Sequence, residues 1–146
     1  MAHAIFEWAH HDINGAANHV ASLMDRQSKT EALYKLFQGV SKDQGIEEIK
    51  PVMDRFSGQV DDKAYEMFLK KCSSRNPAVG IQYVPMIQDK SARMKWYKIT
   101  LQKWLETDPV AANNWISNSS LSQESIRNIN EYLKGQHDQT KAGQAK

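Results

Sequence analysis

Apolar residues recur along this chain at the spacing of one helical face, in four successive blocks. Counting from Ile13, Ile46, Pro77 and Pro109, the fourth residue is Ala16, Ile49, Gly80 or Ala112, and the eighth is Val20, Met53, Val84 or Ile116. The eleventh is Leu23, Phe56, Ile87 or Ser119, so three of the four blocks complete a 4, 8, 11 stripe. Such a stripe predicts an amphipathic helix at the start of each block. The block starts are 33, 31 and 32 residues apart. A fixed period of that size predicts stacked repeats rather than a mixed fold.

The second half of each block repeats too. Leu33-Tyr34 and Leu36-Phe37 correspond to Ala64-Tyr65 and Met67-Phe68, then to Trp96-Tyr97 and Ile99-Thr100. Trp8, Ser41, Cys72 and Trp104 stand at the end of these second helices and extend the stripe by a turn. At the joints, Asp12, Asn76 and Asp108 suit the N-cap, where a short side-chain oxygen accepts from free backbone N–H groups. Pro77 and Pro109 suit the first helical position, which needs no donor. Gly45 is expected to stop the preceding helix instead. Within each block, Ser28, Asp61 or Asp62, Asp89 and Ser122 are candidate caps of the second helix. Pro51 and Pro85 fall inside first helices, where each removes a backbone donor and delays or kinks the helix.

No segment has the period-2 alternation of a strand. The expectation is an all-α fold of stacked antiparallel helix pairs, an α-α solenoid of about eight helices with a period of about 32 residues. The units are the end of one pair at Ala4 to His11, three full pairs from Asp12 to Thr107, and a last pair from Asp108 to about Lys134. Residues 1–136 form one domain, and the polar, glycine-containing stretch 137–146 is expected to be a disordered tail.

Composition changes this picture little. The chain has 146 residues, 40% hydrophobic and 25% charged, the balance of a soluble globular protein. No apolar run reaches the roughly 18 residues a membrane helix needs. Nineteen basic and 17 acidic residues leave a formal charge of +2, a weak field that disfavours nucleic acid or an anionic membrane as partner. The one cysteine, Cys72, excludes an intrachain disulfide and fits a small core position. The N-terminal stretch lacks the basic and apolar regions of a signal peptide, so the cytoplasm is the default compartment unless an export signal has been removed.

The joint "KWLETDPVAANNW" (residues 103–115) carries a family likeness. Helix pairs of about 32 residues joined at Asp-Pro resemble tetratricopeptide-like α-α repeats. The joint is similar in particular to the Trp-x-x-x-Asp-Pro-x-x-Ala-x-x-Trp repeats of long bacterial helical-repeat proteins. The likeness covers residues 4–134. The chain departs from the standard pattern twelve positions before the joint Pro, where Tyr65 and Tyr97 replace a small residue. The resemblance implies a scaffold that binds a protein or peptide on the inner face of a curved stack, with no catalytic residues and no cofactor. The first helix of a repeat normally lines that face. Its polar residues off the buried stripe are therefore the contact candidates: Asn18, Lys50, Gln82, Asn113, Asn114 and Ser117. Since Trp8 belongs to the second helix of a pair, either the chain is cut from a longer array or Ala4 to His11 acts as a cap. An exposed terminal repeat would offer a route to a homo-oligomer.

Other chemistry is sparse. His10, His11 and Asp12 with His19 form the one cluster with metal-ligand residue types. Adjacent helical side chains diverge by about 100°, so His10 and His11 cannot share a metal, and a helix C-terminus accounts for them. Cys72 and the serines lack the base and oxyanion pocket that nucleophilic catalysis needs. Glu47-Glu48 and Asp61-Asp62 stand where helices begin, as the helix dipole favours. Trp8, Trp96, Trp104 and Trp115 all fall on repeat positions expected to pack between helices. Asn118 begins an Asn-Ser-Ser glycosylation pattern, which has meaning only in a eukaryotic secretory context.

Arg93, Lys95, Lys98 and Lys103 share one helix, with Lys70 and Lys71 one block earlier. Their spacings of 2, 3 and 5 do not keep one face, and Glu106 and Asp108 dilute them, so a solvated helix face is expected. The function expected is thus non-enzymatic binding of a protein or peptide. A nucleic-acid-binding helical repeat, with lysines converging on one groove, is one alternative. A small secreted effector that binds a target protein is another.

Overall fold

A computed structural model describes the backbone of residues 2–40, 44–73 and 75–144 and the side chains of 5–40, 44–73 and 75–136. Among the described residues there is no strand. The chain folds into helices α1 (Ala2–His11), α2 (Ile13–Ser22), α3 (Arg26–Gln38), α4 (Ile46–Arg55) and α5 (Asp62–Cys72). A one-turn α6 (Pro77–Gly80) and a 3-10 turn (Val84–Met86) follow, then α7 (Lys90–Thr107), α8 (Pro109–Asn118) and α9 (Gln123–Gln144). The disordered tail expected over 137–146 falls on residues whose side chains lie outside the described set, and the stripe position Ser41 lies outside it as well.

The joints form as the sequence predicts. Asp12 Oδ1 accepts from the Gly15 amide at 3.0 Å, Asn76 Oδ1 from Val79 at 3.3 Å and Asp108 Oδ1 from Ala111 at 3.1 Å. Each satisfies a backbone donor that the first helical turn would otherwise leave bare. Asp89 and Ser122 cap α7 and α9 through Ala92 and Ser125. Two positions differ. Asp25, not Ser28, caps α3, and the Ser28 amide is its donor. Gly45 is the N-cap of α4, while the preceding helix stops at Gly39.

The two internal prolines have different outcomes. Helix α4 runs through Pro51, but the single helix expected from Pro77 to Ile87 breaks into α6 and the 3-10 turn. Pro85 has no backbone donor, and the chain around it closes i→i+3 bonds, Met86 N–H to the Tyr83 carbonyl and Ile87 N–H to the Val84 carbonyl, instead of continuing the α-helix. Val84 and Ile87 nevertheless reach the core.

Packing follows the stripe. Ala16, Val20, Ile49, Met53, Phe56, Val84, Ile87 and Ala112 are buried, as are Leu33, Leu36, Phe37, Ala64, Phe68, Trp96, Tyr97 and Trp104. Helix α1 packs on α2 and α3, and α3 on α5; α6 and the 3-10 turn lie against both α5 and α7, and α7 carries α8 and α9. Three rings join successive blocks: Phe37 and Phe68 have centroids 5.4 Å apart, Phe68 and Tyr83 4.7 Å. Helices α3 and α5 run parallel, since Lys63 Nζ in the first turn of α5 reaches Glu31 on α3, and Lys71 Nζ in the last turn of α5 reaches the Val40 carbonyl just past the end of α3. Helix α1 meets the end of α3 through Gly39, where a Cβ would stand 2.2 Å from the Phe6 carbonyl oxygen. This close approach is where the fold needs a residue without a side chain.

Arg26 makes a clamp that the period does not show. Its guanidinium donates to Asp61 Oδ1 at 2.5 Å and to the Gly58 and Val60 carbonyls at 2.9 and 2.8 Å. These bonds hold the turn between α4 and α5 against the start of α3. Gly58 has φ +80 there, and its amide donates to the Tyr65 hydroxyl.

Trp8 corrects the expectation that all four tryptophans pack between helices. It is 40% exposed. Ile5, Ala9 and Ile13 form the buried line of α1 and its junction, and Trp8 falls about 100° off that line. Its indole lies over Gly15, whose Cβ would come 2.8 Å from Trp8 Nε1, and beside the His19 ring.

Candidate functional site

Two of the six predicted contact residues, Asn18 and Lys50, have partners within the chain. Asn18 is exposed on α2, but its Oδ1 accepts from Arg55 Nη1 at 2.8 Å. Lys50 on α4 pairs with Asp54 at 3.0 Å and lies 5.9 Å from the centre of the Tyr83 ring. The Tyr83 hydroxyl in turn donates to Asp54. These contacts link α2, α4 and the segment after α6 into one polar strip, in which Asn18 and Lys50 have partners within the chain.

Electrostatics in this strip favour the ion pair. Burial pushes the Asp54 carboxyl up, but the Tyr83 hydroxyl and the Lys50 ammonium outweigh it and hold it below its ordinary value. Burial first, and the Asp54 carboxylate second, push Tyr83 up to about 12. Gln82 is exposed in the turn before the 3-10 segment, and Asn113, Asn114 and Ser117 are exposed on α8. Asn114 lines a cleft of about 610 Å³ with Pro85, Tyr97, Trp115 and Asn118.

A second groove has more open chemistry. It lies between α7 and α9, measures about 690 Å³, and is lined by Lys90, Lys95, Lys98, Met94, Tyr132 and Asn128 among others. Lys98 Nζ sits 5.7 Å from the Tyr132 ring centre, and Lys95 Nζ 5.5 Å from that of Trp96. The Tyr132 hydroxyl donates to Gln102 Oε1 at 3.0 Å, which fixes the ring against α7. Glu124 also lines the groove, yet among the described residues no carboxylate pairs with any of the three lysines.

The groove gathers only part of the basic set weighed from sequence. Arg93 turns back to the Ile87 carbonyl at 2.8 Å, Lys103 stands 3.9 Å from Glu106, and Lys71 reaches the Val40 carbonyl. Lys95 and Lys98 do converge, joined by Lys90. The signal was available: Lys90, Met94 and Lys98 stand at i, i+4 and i+8, one helical face, which counting from Arg93 hides. Tyr132 and Asn128 come from α9, whose distance in sequence gives no such hint.

Cys72 is fully buried, and burial pushes its thiol up to about 12, far from a reactive thiolate. His10 and His11 are exposed at the end of α1, and His19 is half-buried beside Trp8. Among the described residues no three His, Cys, Asp or Glu side chains gather as a metal site would require. No described helix is long and apolar enough to cross a membrane. Compared with known proteins, the chain matches no family model, no curated protein and no solved structure.

Proposed function

We propose that this chain is a non-enzymatic helical-repeat module that binds a protein or peptide partner. The observation that carries the reading is the α7–α9 groove, where three lysines, an aromatic ring and apolar side chains line one depression and, among the described residues, no carboxylate pairs with those lysines. Protein-binding sites combine such aromatic anchors with a polar rim, and unpaired like charges on one wall select the partner's charge.

The repeat reading has its own support. Hydrogen bonds between helices join residues about one period apart: Thr30 to Asp61, Glu31 to Lys63, Glu66 to Trp96 and Gln102 to Tyr132 have separations of 31, 32, 30 and 30. Each block thus bonds to its neighbour, as in a quasi-one-dimensional stack. The capped Asp108-Pro109 joint supports a relation to tetratricopeptide-like repeats.

The test is to pan short random peptides displayed on phage against the immobilised chain. Retention of peptides that free chain releases is the expected result, and retention of none contradicts the reading. A nucleic-acid-binding repeat is the second reading, favoured by the meeting of Lys90, Lys95 and Lys98. A steep fall in affinity with salt would mark it.

A further inference from the structure

We infer that the α7–α9 groove receives an acidic peptide segment, with its carboxylates on Lys95 and Lys98 and an apolar side chain against Met94, Ile99 and the Tyr132 ring. The inference rests on the binding reading above and names the partner's chemistry.

Between α3 and α5, Lys63 Nζ lies 4.5 Å from the centre of the Tyr34 ring and 2.9 Å from Glu31. There a lysine, a tyrosine ring and a carboxylate complete a set across two parallel helices. Between α7 and α9 a lysine and a ring meet again with their helices exchanged, Lys98 on α7 and Tyr132 on α9, 5.7 Å apart. The carboxylate does not: among the described residues none pairs with Lys98, Lys95 or Lys90. The groove that these lysines border measures about 690 Å³, within the range of roughly 300–1,000 Å³ that holds a bound ligand. A carboxylate entering there would meet an ammonium already placed over an aromatic face, so little side-chain freedom remains to be lost.

The lining favours a peptide over a nucleic acid. Lys90, Lys95 and Lys98 against the single Glu124 leave a small positive surplus, which matches one or two carboxylates better than a nucleic-acid backbone with a charge on every phosphate. Met94 and Ile99, both partly buried, give an apolar floor for a neighbouring side chain. Asn128 is exposed at the edge and offers both a donor and an acceptor to a peptide backbone.

The experiment is fluorescence anisotropy on the full chain with three rhodamine-labelled probes. They are a peptide in which glutamates flank a leucine, the same peptide with glutamines, and a single-stranded oligothymidylate. The glutamate peptide is expected to bind. The glutamine peptide, and the Lys95→Gln/Lys98→Gln variant, should each weaken binding by roughly tenfold or more. Lys95→Gln alone should weaken it less, and Lys70→Gln, at an exposed position on α5, should leave it unchanged. Equal binding of both peptides, no loss in the double variant, or tighter binding of the oligothymidylate overturns the inference. If phage panning retains peptides whose binding ignores Lys95 and Lys98, this inference fails and the binding reading stands. If panning retains none, both fail.

Discussion

The Tyr83 hydroxyl donates to the Asp54 carboxylate, which also holds the Lys50 ammonium, so the third block is tied to the second through a phenol that stays neutral. Folding raises the phenol from 10.0 to about 12, so between those values the unfolded chain binds fewer protons than the folded one. The stability that this contributes is complete below pH 10 and is lost as pH rises from there to about 12. Cys72 adds a loss of the same sign beginning near its ordinary value of 9.0. Asp54 acts oppositely, contributing above its ordinary 3.8 and losing that contribution as pH falls below it. Urea midpoints measured from pH 8 upward should therefore decline. In Tyr83→Phe the decline should be smaller, after a loss of about 1 kcal/mol at neutral pH. An unchanged alkaline slope in Tyr83→Phe would contradict the assignment.

Gly39 allows α1 and α3 to touch. Its missing Cβ would stand 2.2 Å from the Phe6 carbonyl oxygen and 2.9 Å from the Phe6 carbonyl carbon, both backbone atoms that no rotamer change can move. Gly39→Ala should destabilise by about 2–3 kcal/mol and loosen α1 first. Amide hydrogen exchange should show the loss of protection concentrated in α1. A uniform loss across the chain would count against this docking contact.

Thr100 stands where the two earlier blocks have Phe37 and Phe68, and it is fully buried with no partner for its hydroxyl among the described residues. A buried hydroxyl without a hydrogen bond costs stability that an isosteric methyl does not. Thr100→Val should leave the fold intact and raise stability by about 1 kcal/mol. A drop in thermal midpoint would show that the hydroxyl has a partner after all.

The frame of the fold was legible because its signals are local. Asp12, Asn76 and Asp108 cap helices three residues away, and the 4, 8, 11 stripe needs only helical geometry. Where a single proline competes with the stripe, sequence alone does not say which wins: α4 continues through Pro51, whereas the segment before Pro85 breaks. Trp8 departs from the expectation because a repeat position fixes a residue's place on the period but not what lies beside it. The candidate face on the first helices was derived by analogy, and the structure gives Asn18 and Lys50 partners of their own. The α7–α9 groove is not legible in the sequence because Glu124, Ser125, Asn128 and Tyr132 come from α9, about one repeat away, and contacts at that distance leave no local mark in one sequence.

The most direct test of the account is to map the glutamate peptide onto the chain by amide chemical-shift changes. The account predicts shifts confined to residues 90–99 and 122–132, the two walls of the groove. Shifts centred on Asn18, Lys50 and Asn113 to Ser117 instead, or none at saturating peptide, would contradict it.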